Sequence, residues 1–215
     1  MKGCKFDCRY CRPSFQAQAK RQKHRFEKCY SFVPHEHPER LTASLPRTNE
    51  GEFIAVCLSG DISFCTKDYL KQIVARIKEY PGRTFLVQSK NPATFARIPA
   101  WPSNVMLGIT LETDRDDGYG QISKAPVPSQ RFKDFLGIKD ARKTVTIEPV
   151  MEFDLDRLFG WIQELKPEVV WIGYDSKRSS LSEPPLEKVQ AMISRLERTG
   201  IEVRLKTIRE GRPQA

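Results

Sequence analysis

Residues 53–79 read FIAVCLSGDISFCTKDYLKQIVARIKE. The opening FIAVCL (Phe53–Leu58) is a short, β-prone apolar run, and Asp68–Glu79 places Leu70, Ile73, Val74 and Ile77 on one face at helical spacing. A strand followed by an amphipathic helix is one βα unit, and the pattern repeats along the chain. Thr84–Gln88 (TFLVQ), Val105–Leu111 (VMLGITL), Thr144–Ile147 (TVTI), Val169–Ile172 (VVWI) and Ile201–Leu205 (IEVRL) are further strand candidates, and Leu155–Leu165 and Leu186–Arg198 are further helices. Most of the strand runs are almost continuously apolar, which predicts burial on both faces. Pro81-Gly82, Asn91-Pro92, Pro167 and Gly200 punctuate the joints. This alternation predicts an α/β fold with a parallel sheet in one domain spanning residues 1–215, and six units are too few for a closed eight-stranded barrel. Residues 113–131 read as a long polar loop.

In parallel α/β barrels the chemistry sits at the C-terminal ends of the strands. Those ends carry Ser59-Gly60-Asp61, Gln88-Ser89-Lys90, Thr110 with Glu112, Glu148-Pro149, Tyr174-Asp175-Ser176 and Lys206. Helix capping alone would account for Asp61, Ser89 and Asp175. A charge at the mouth of an apolar strand must find a partner, so Glu112, Glu148 and Lys206 ask for more. Glu148, Asp175 and Lys206, on the late strands, are the candidate catalytic residues on the substrate side. The competing reading is a structural Glu–Lys pair closing the mouth of the sheet.

The chain of 215 residues carries a net charge of +9. Residues 1–47 hold eleven Lys/Arg against four Asp/Glu, and Ala19–Lys28 (AKRQKHRFEK) reads as a basic helix. Tyr10, Phe15, Phe26 and Tyr30 are interleaved with that charge. Such a segment predicts nucleic acid as a possible partner, set against a helix face that is merely solvated. No run of 18 apolar residues predicts a membrane span, and MKGCKFDC has no apolar signal-peptide core. Six cysteines without a disulfide-type pattern fit a reducing cytoplasm. Cys57, inside an apolar run, reads as a small core residue, and Cys29 and Cys65 carry no signal of their own. Oligomeric state is not legible.

Three of the cysteines stand in GCKFDCRYC: Cys4, Cys8 and Cys11, spaced C-x3-C-x2-C with Tyr10 before the third. Three thiolates saturate neither a structural zinc site nor an ordinary four-iron–four-sulfur cluster. A zinc site would need a fourth ligand from Cys29, His24, His35 or His37. That alternative gives a zinc-dependent nucleic-acid-binding module. The other choices are three buried structural cysteines, or a cluster with one iron open to a small molecule.

The spacing C-x3-C-x-aromatic-C resembles the signature of the radical S-adenosylmethionine superfamily. HPERL (His37–Leu41), LSGDISF, QSKNP, GITLE, TIEPV, WIGYDS and the late Lys206 extend the likeness over most of the chain. In that order they resemble a phage- and prokaryote-encoded family, the phage protein Gp37/Gp68 group, whose role is unassigned and which is distantly similar to spore photoproduct lyase. The resemblance implies a partial (β/α)6 TIM-like barrel whose cysteine loop follows a first strand. Only Met1, Lys2 and Gly3 precede Cys4, so that strand is expected to be missing here. It further implies a four-iron–four-sulfur cluster on Cys4, Cys8 and Cys11, with S-adenosylmethionine chelating the open iron. Ser59, Gly60 and Asp61 take the place of the turn that receives the methionine amine, Glu112 that of the ribose contact, and the Ile147–Val150 backbone lies near adenine. Reduced flavodoxin or ferredoxin would supply the electron that releases a 5′-deoxyadenosyl radical. A barrel subunit without turnover is the remaining alternative.

Overall fold

A computed structural model describes residues 1–21, 27–177 and 179–212. Six strands, β1 (Ile54–Val56), β2 (Phe85–Ser89), β3 (Val105–Thr110), β4 (Arg142–Ile147), β5 (Val169–Ile172) and β6 (Glu202–Leu205), form one sheet. They lie in chain order, and every neighbouring pair is parallel. All six fall on runs that the sequence marks as strands. The crossovers carry α1 (Lys67–Lys78), α2 (Pro128–Leu136), α3 (Leu155–Leu165) and α4 (Leu186–Arg198), while β2 reaches β3 through a 3-10 turn, Pro92–Arg97. The arrangement is compatible with a partial TIM-like fold, in which β1 and β6 are the two edges. No helix among the described residues is long and apolar enough to cross a membrane.

Local chemistry sets the helix starts. The Thr66 hydroxyl accepts from the Tyr69 amide to open α1, the Asp154 carboxylate accepts from the Arg157 amide to open α3, and Pro128 occupies the first turn of α2. From α1, Leu70, Ile73, Val74 and Ile77 are buried against the sheet. Phe135, Leu158, Ile162, Val189, Met192 and Leu196 continue that layer from α2, α3 and α4. The sheet answers with Val87, Leu107, Ile109, Val145, Ile147, Val170 and Ile172, each essentially inaccessible to water. Burying one such side chain stabilises the fold by about 1.5–3 kcal/mol. Phe132 and Trp161 stack with centroids 4.8 Å apart and join α2 to α3.

The opposite face departs from the expected apolar runs. Leu86, Gln88, Gly108, Thr110, Thr144, Thr146 and Trp171 alternate with the core residues and point away from the helices. Register sets them side by side: Gln88 opposite Gly108 opposite Thr144, and Thr110 opposite Thr146 opposite Trp171. A Cβ on Gly108 would lie 3.0 Å from Thr144 Cγ2, and Gln88 Nε2 donates to Thr110 Oγ1 at 2.8 Å. The sheet curls around this face, so Phe53, just before β1, meets Trp171 of β5 edge-on at 6.1 Å. The strands are therefore two-faced, with a small, polar concave side.

Two further expectations are corrected, and a third lies partly outside the described residues. The stretch 113–131 is not a structureless loop: it holds a 3-10 turn at Tyr119–Gln121 and the start of α2, and both Tyr119 and Arg131 are buried. Cys57 packs against the core but lies outside the strand: β1 ends at Val56, and Cys57 turns the chain with φ +60° at the edge of the concave face. The basic helix expected over Ala19–Lys28 lies partly outside the described residues; the flanks form single helical turns at Ala17–Lys20 and Glu27–Tyr30. Ahead of the cysteines, Gly3 bridges Gly60 in parallel and donates to Ser59 O at 3.0 Å, so Met1–Gly3 runs beside the end of β1. Gly3 has φ +77°, and a Cβ there would fall 2.3 Å from Val33 O. Only glycine fits.

Candidate active site

The curled sheet and the cysteine loop enclose a cleft of about 640 Å³ at the C-terminal ends of the strands. That size is ordinary for a small-molecule or cofactor site, roughly 300–1,000 Å³. Cys4, Cys8, Cys11, Ser59, Gly60, Asp61, Glu148, Asp175 and Lys206 all line it. Glu112 does not.

The cysteine loop is held from both sides. Cys4 N–H donates to Phe32 O, Arg9 N–H to Ile122 O, and Lys124 N–H to Phe6 O, at 2.7–3.0 Å. Phe6 packs on Phe64 at 4.9 Å and on Ala125. The Phe6 amide donates to Cys4 Sγ at 3.4 Å, and Cys8 Sγ meets Ser123 Oγ at 3.1 Å. Burial pushes the Cys4 thiol well above its ordinary range and the Cys11 thiol to about 11, with the neighbouring thiols adding to the rise. Lys90 acts on Cys11 in the opposite sense. The three sulfurs face one cleft without gathering on one point: among the described residues, the ligand atoms that converge within 4.8 Å are those of Cys29, His35 and His37. Three cysteine sulfurs facing one cleft are a donor type that both zinc and iron–sulfur clusters take.

Asp61 caps the turn at Ile62–Phe64 through the Ser63 amide, and also accepts from Ser89 Oγ at 2.6 Å and the Lys90 amide at 2.8 Å. It ties the end of β1 to the end of β2. Asp175 likewise accepts from the Lys177 and Ser179 amides. Both carboxylates thus shape their own turns while lining the cleft. Glu148 and Lys206 pair with each other, half-exposed, with Lys206 Nζ 5.4 Å over the Trp171 ring.

Glu112 sits beneath the cleft, 0% exposed. Its Oε1 accepts from Tyr10, from Tyr119 (2.9 Å) and from Lys90, and its Oε2 accepts from Arg131 Nη1 at 2.8 Å. Burial alone would raise its pKa; the Arg131 and Lys90 charges override that and hold the carboxyl well below the usual range. The network buries two cations against one carboxylate, and Lys90 alone of the three charges reaches the cleft wall. Sequence reasoning placed Lys90 at a strand end without a role and missed Arg131 and Tyr119. An arginine on the buried face of a helix leaves no spacing signal.

Comparison of the chain with protein-family models, with curated proteins and with solved structures finds no match.

Proposed function

We propose that this protein is a radical S-adenosylmethionine enzyme built on a partial (β/α)6 barrel. The observation that carries the reading is the meeting of Cys4, Cys8 and Cys11 with Ser59, Gly60 and Asp61 in one cleft at the strand ends. Cys4, Cys8 and Cys11 would hold a four-iron–four-sulfur cluster, and the Ser59–Asp61 turn would receive the methionine end of S-adenosylmethionine. When bound, the cluster supplies the electron, delivered by a flavodoxin- or ferredoxin-type reductant, that cleaves S-adenosylmethionine. The protein's own part is electrostatic and steric. Lys90, part of a buried excess of positive charge, offsets the negative charge of thiolate ligation. The Phe6 amide donates to the Cys4 sulfur, and Phe6, Phe64 and Ala125 keep water from the loop. Glu148, Asp175 and Lys206 face the cleft beyond the turn, where a substrate would enter. Phe15 and Arg21, from the basic N-terminal segment, line the same cleft. That placement favours a nucleic-acid or nucleotide substrate, drawn by charge and stacked on an aromatic ring.

The test is anaerobic reconstitution with iron and sulfide. The expected product is brown and oxygen-sensitive, with about four irons per chain, and its spectrum changes on adding S-adenosylmethionine. Replacing any of Cys4, Cys8 or Cys11 by Ala abolishes iron binding. Stoichiometric zinc held by these three cysteines, with no cluster formed, would overturn the proposal.

A further inference from the structure

A second cluster of ligand atoms lies outside the cleft. Cys29 Sγ stands 3.2 Å from His35 Nε2 and 3.9 Å from His37 Nε2, and the two imidazole rings are 4.6 Å apart. Cys29 is 1% exposed and His37 2% exposed. Both rings are oriented from behind. His35 Nδ1 donates to the Val33 carbonyl at 2.7 Å, and His37 Nδ1 lies 2.7 Å from the Glu39 carboxylate. A carbonyl or carboxylate on Nδ1 fixes the tautomer that turns a bare Nε2 forward, the arrangement that metal-ligating histidines use. A thiol carries one proton, so Cys29 donates to one of these rings at a time; a metal ion engages all three donors together.

We propose that Cys29, His35 and His37 bind a zinc ion that braces the segment next to the cysteine loop. Tetrahedral zinc with Zn–S of about 2.3 Å and Zn–N of about 2.05 Å sets sulfur and nitrogen about 3.6 Å apart. The two observed separations bracket that value. One thiolate and two imidazoles are borderline-soft donors that suit zinc and leave no role for calcium or magnesium, which take oxygen. On binding, the Cys29 thiol proton passes to solvent as the Zn–S bond forms. The fourth tetrahedral position is supplied by no described Cys, His, Asp or Glu and falls to water or another donor.

The surroundings give the site a structural task. Lys2 and His35 exchange both backbone hydrogen bonds, at 3.0 and 2.9 Å, and Phe32 O accepts from the amide of Cys4. The His37 carbonyl accepts from Tyr69 on α1 at 3.0 Å. An ion joining residue 29 to residues 35 and 37 would close the loop that cradles residues 2–4. It would hold this loop against both α1 and the end of β1.

The experiment uses the full chain, with zinc and iron measured separately on the same samples, so the fate of this proposal is distinct from that of the radical chemistry. Purified protein should carry about one zinc per chain, and cobalt in its place should give the visible bands of a tetrahedral thiolate site. The triple variant Cys4→Ala/Cys8→Ala/Cys11→Ala should keep the zinc and the cobalt spectrum. Cys29→Ala should lose the ion and the thiolate-to-cobalt charge-transfer band. His35→Ala, at a half-buried ring that tolerates truncation, should also lose the ion, and it decides the matter if Cys29→Ala does not fold. Loss of zinc from the triple variant with retention in His35→Ala would overturn the proposal, as would wild-type protein that takes up neither zinc nor cobalt.

Discussion

Glu112→Gln isolates the buried network from the cleft above it. The substitution keeps shape and volume but removes the carboxylate's negative charge, leaving Lys90 and Arg131 buried together. Arg131 has no second carboxylate to turn to: its Nε and Nη2 already lack acceptors among the described residues. Removing one partner of a buried ion pair costs about 3–5 kcal/mol. At roughly 2–4 °C per kcal/mol for a chain of this size, the melting temperature should fall by about 6–20 °C. Adding Lys90→Met, which removes one orphaned cation, should recover part of the loss. The pH dependence has a definite sign. The folded pKa of Glu112 lies below its ordinary 4.5, so its contribution is complete above that pH and is lost as pH falls through the folded value. Urea titrations of parent and variant should run a constant free-energy gap apart from pH 7 to near pH 5, and the gap should narrow in stronger acid. A loss under about 1 kcal/mol, below the range for a broken buried pair, would refute the network's structural role. So would unchanged melting accompanied by weakened S-adenosylmethionine binding, which would return Glu112 to the ribose role its strand-end position suggests.

Gly3→Ala should cost about 1–3 kcal/mol through its left-handed backbone and the clash with Val33 O, read as faster hydrogen exchange over residues 32–35. Lys206→Met, at a half-exposed pair, should move stability by less than about 1 kcal/mol while reducing turnover; a large drop in melting temperature would make the Glu148–Lys206 pair a structural clasp instead. Asp61→Ala removes an acceptor for three hydrogen bonds and should cost about 2 kcal/mol or more, so its effect on cofactor binding must be measured beside a urea titration. Binding to single-stranded DNA or RNA should weaken steeply with added salt, and Lys20→Glu/Arg21→Glu should flatten that dependence; salt-independent or undetectable binding at low ionic strength would remove nucleic acid as substrate.

The six strands were legible because each is framed by turn residues and supplies large apolar side chains to the helical layer. The concave face was hidden within the same runs: Gly108, Thr144 and Thr146 look like strand filler until register sets them side by side. Helix α2 escaped notice because Arg131 shares its buried face with Phe132 and Phe135. Strand-end position located Glu112 but not the direction of its side chain, since β3 ends at Thr110 and the chain then turns down toward Arg131. In the sequence Cys29, His35 and His37 figure only as fourth-ligand candidates beside the N-terminal cysteines, and that they converge on one another instead is visible only in the structure.

Odd and even residues along each strand answer to different neighbours. Val145 and Ile147 are felt by the helices; Thr146 faces the cleft, while Thr144 lies deeper, packed beside Gly108 and bonded to the Val169 carbonyl. A substitution at Thr146 should therefore alter what the cleft accepts while largely sparing the melt, and one at Val145 or Ile147 should do the reverse. The floor can be recarved for a new guest, one row at a time, while the helical layer behind it never registers the change.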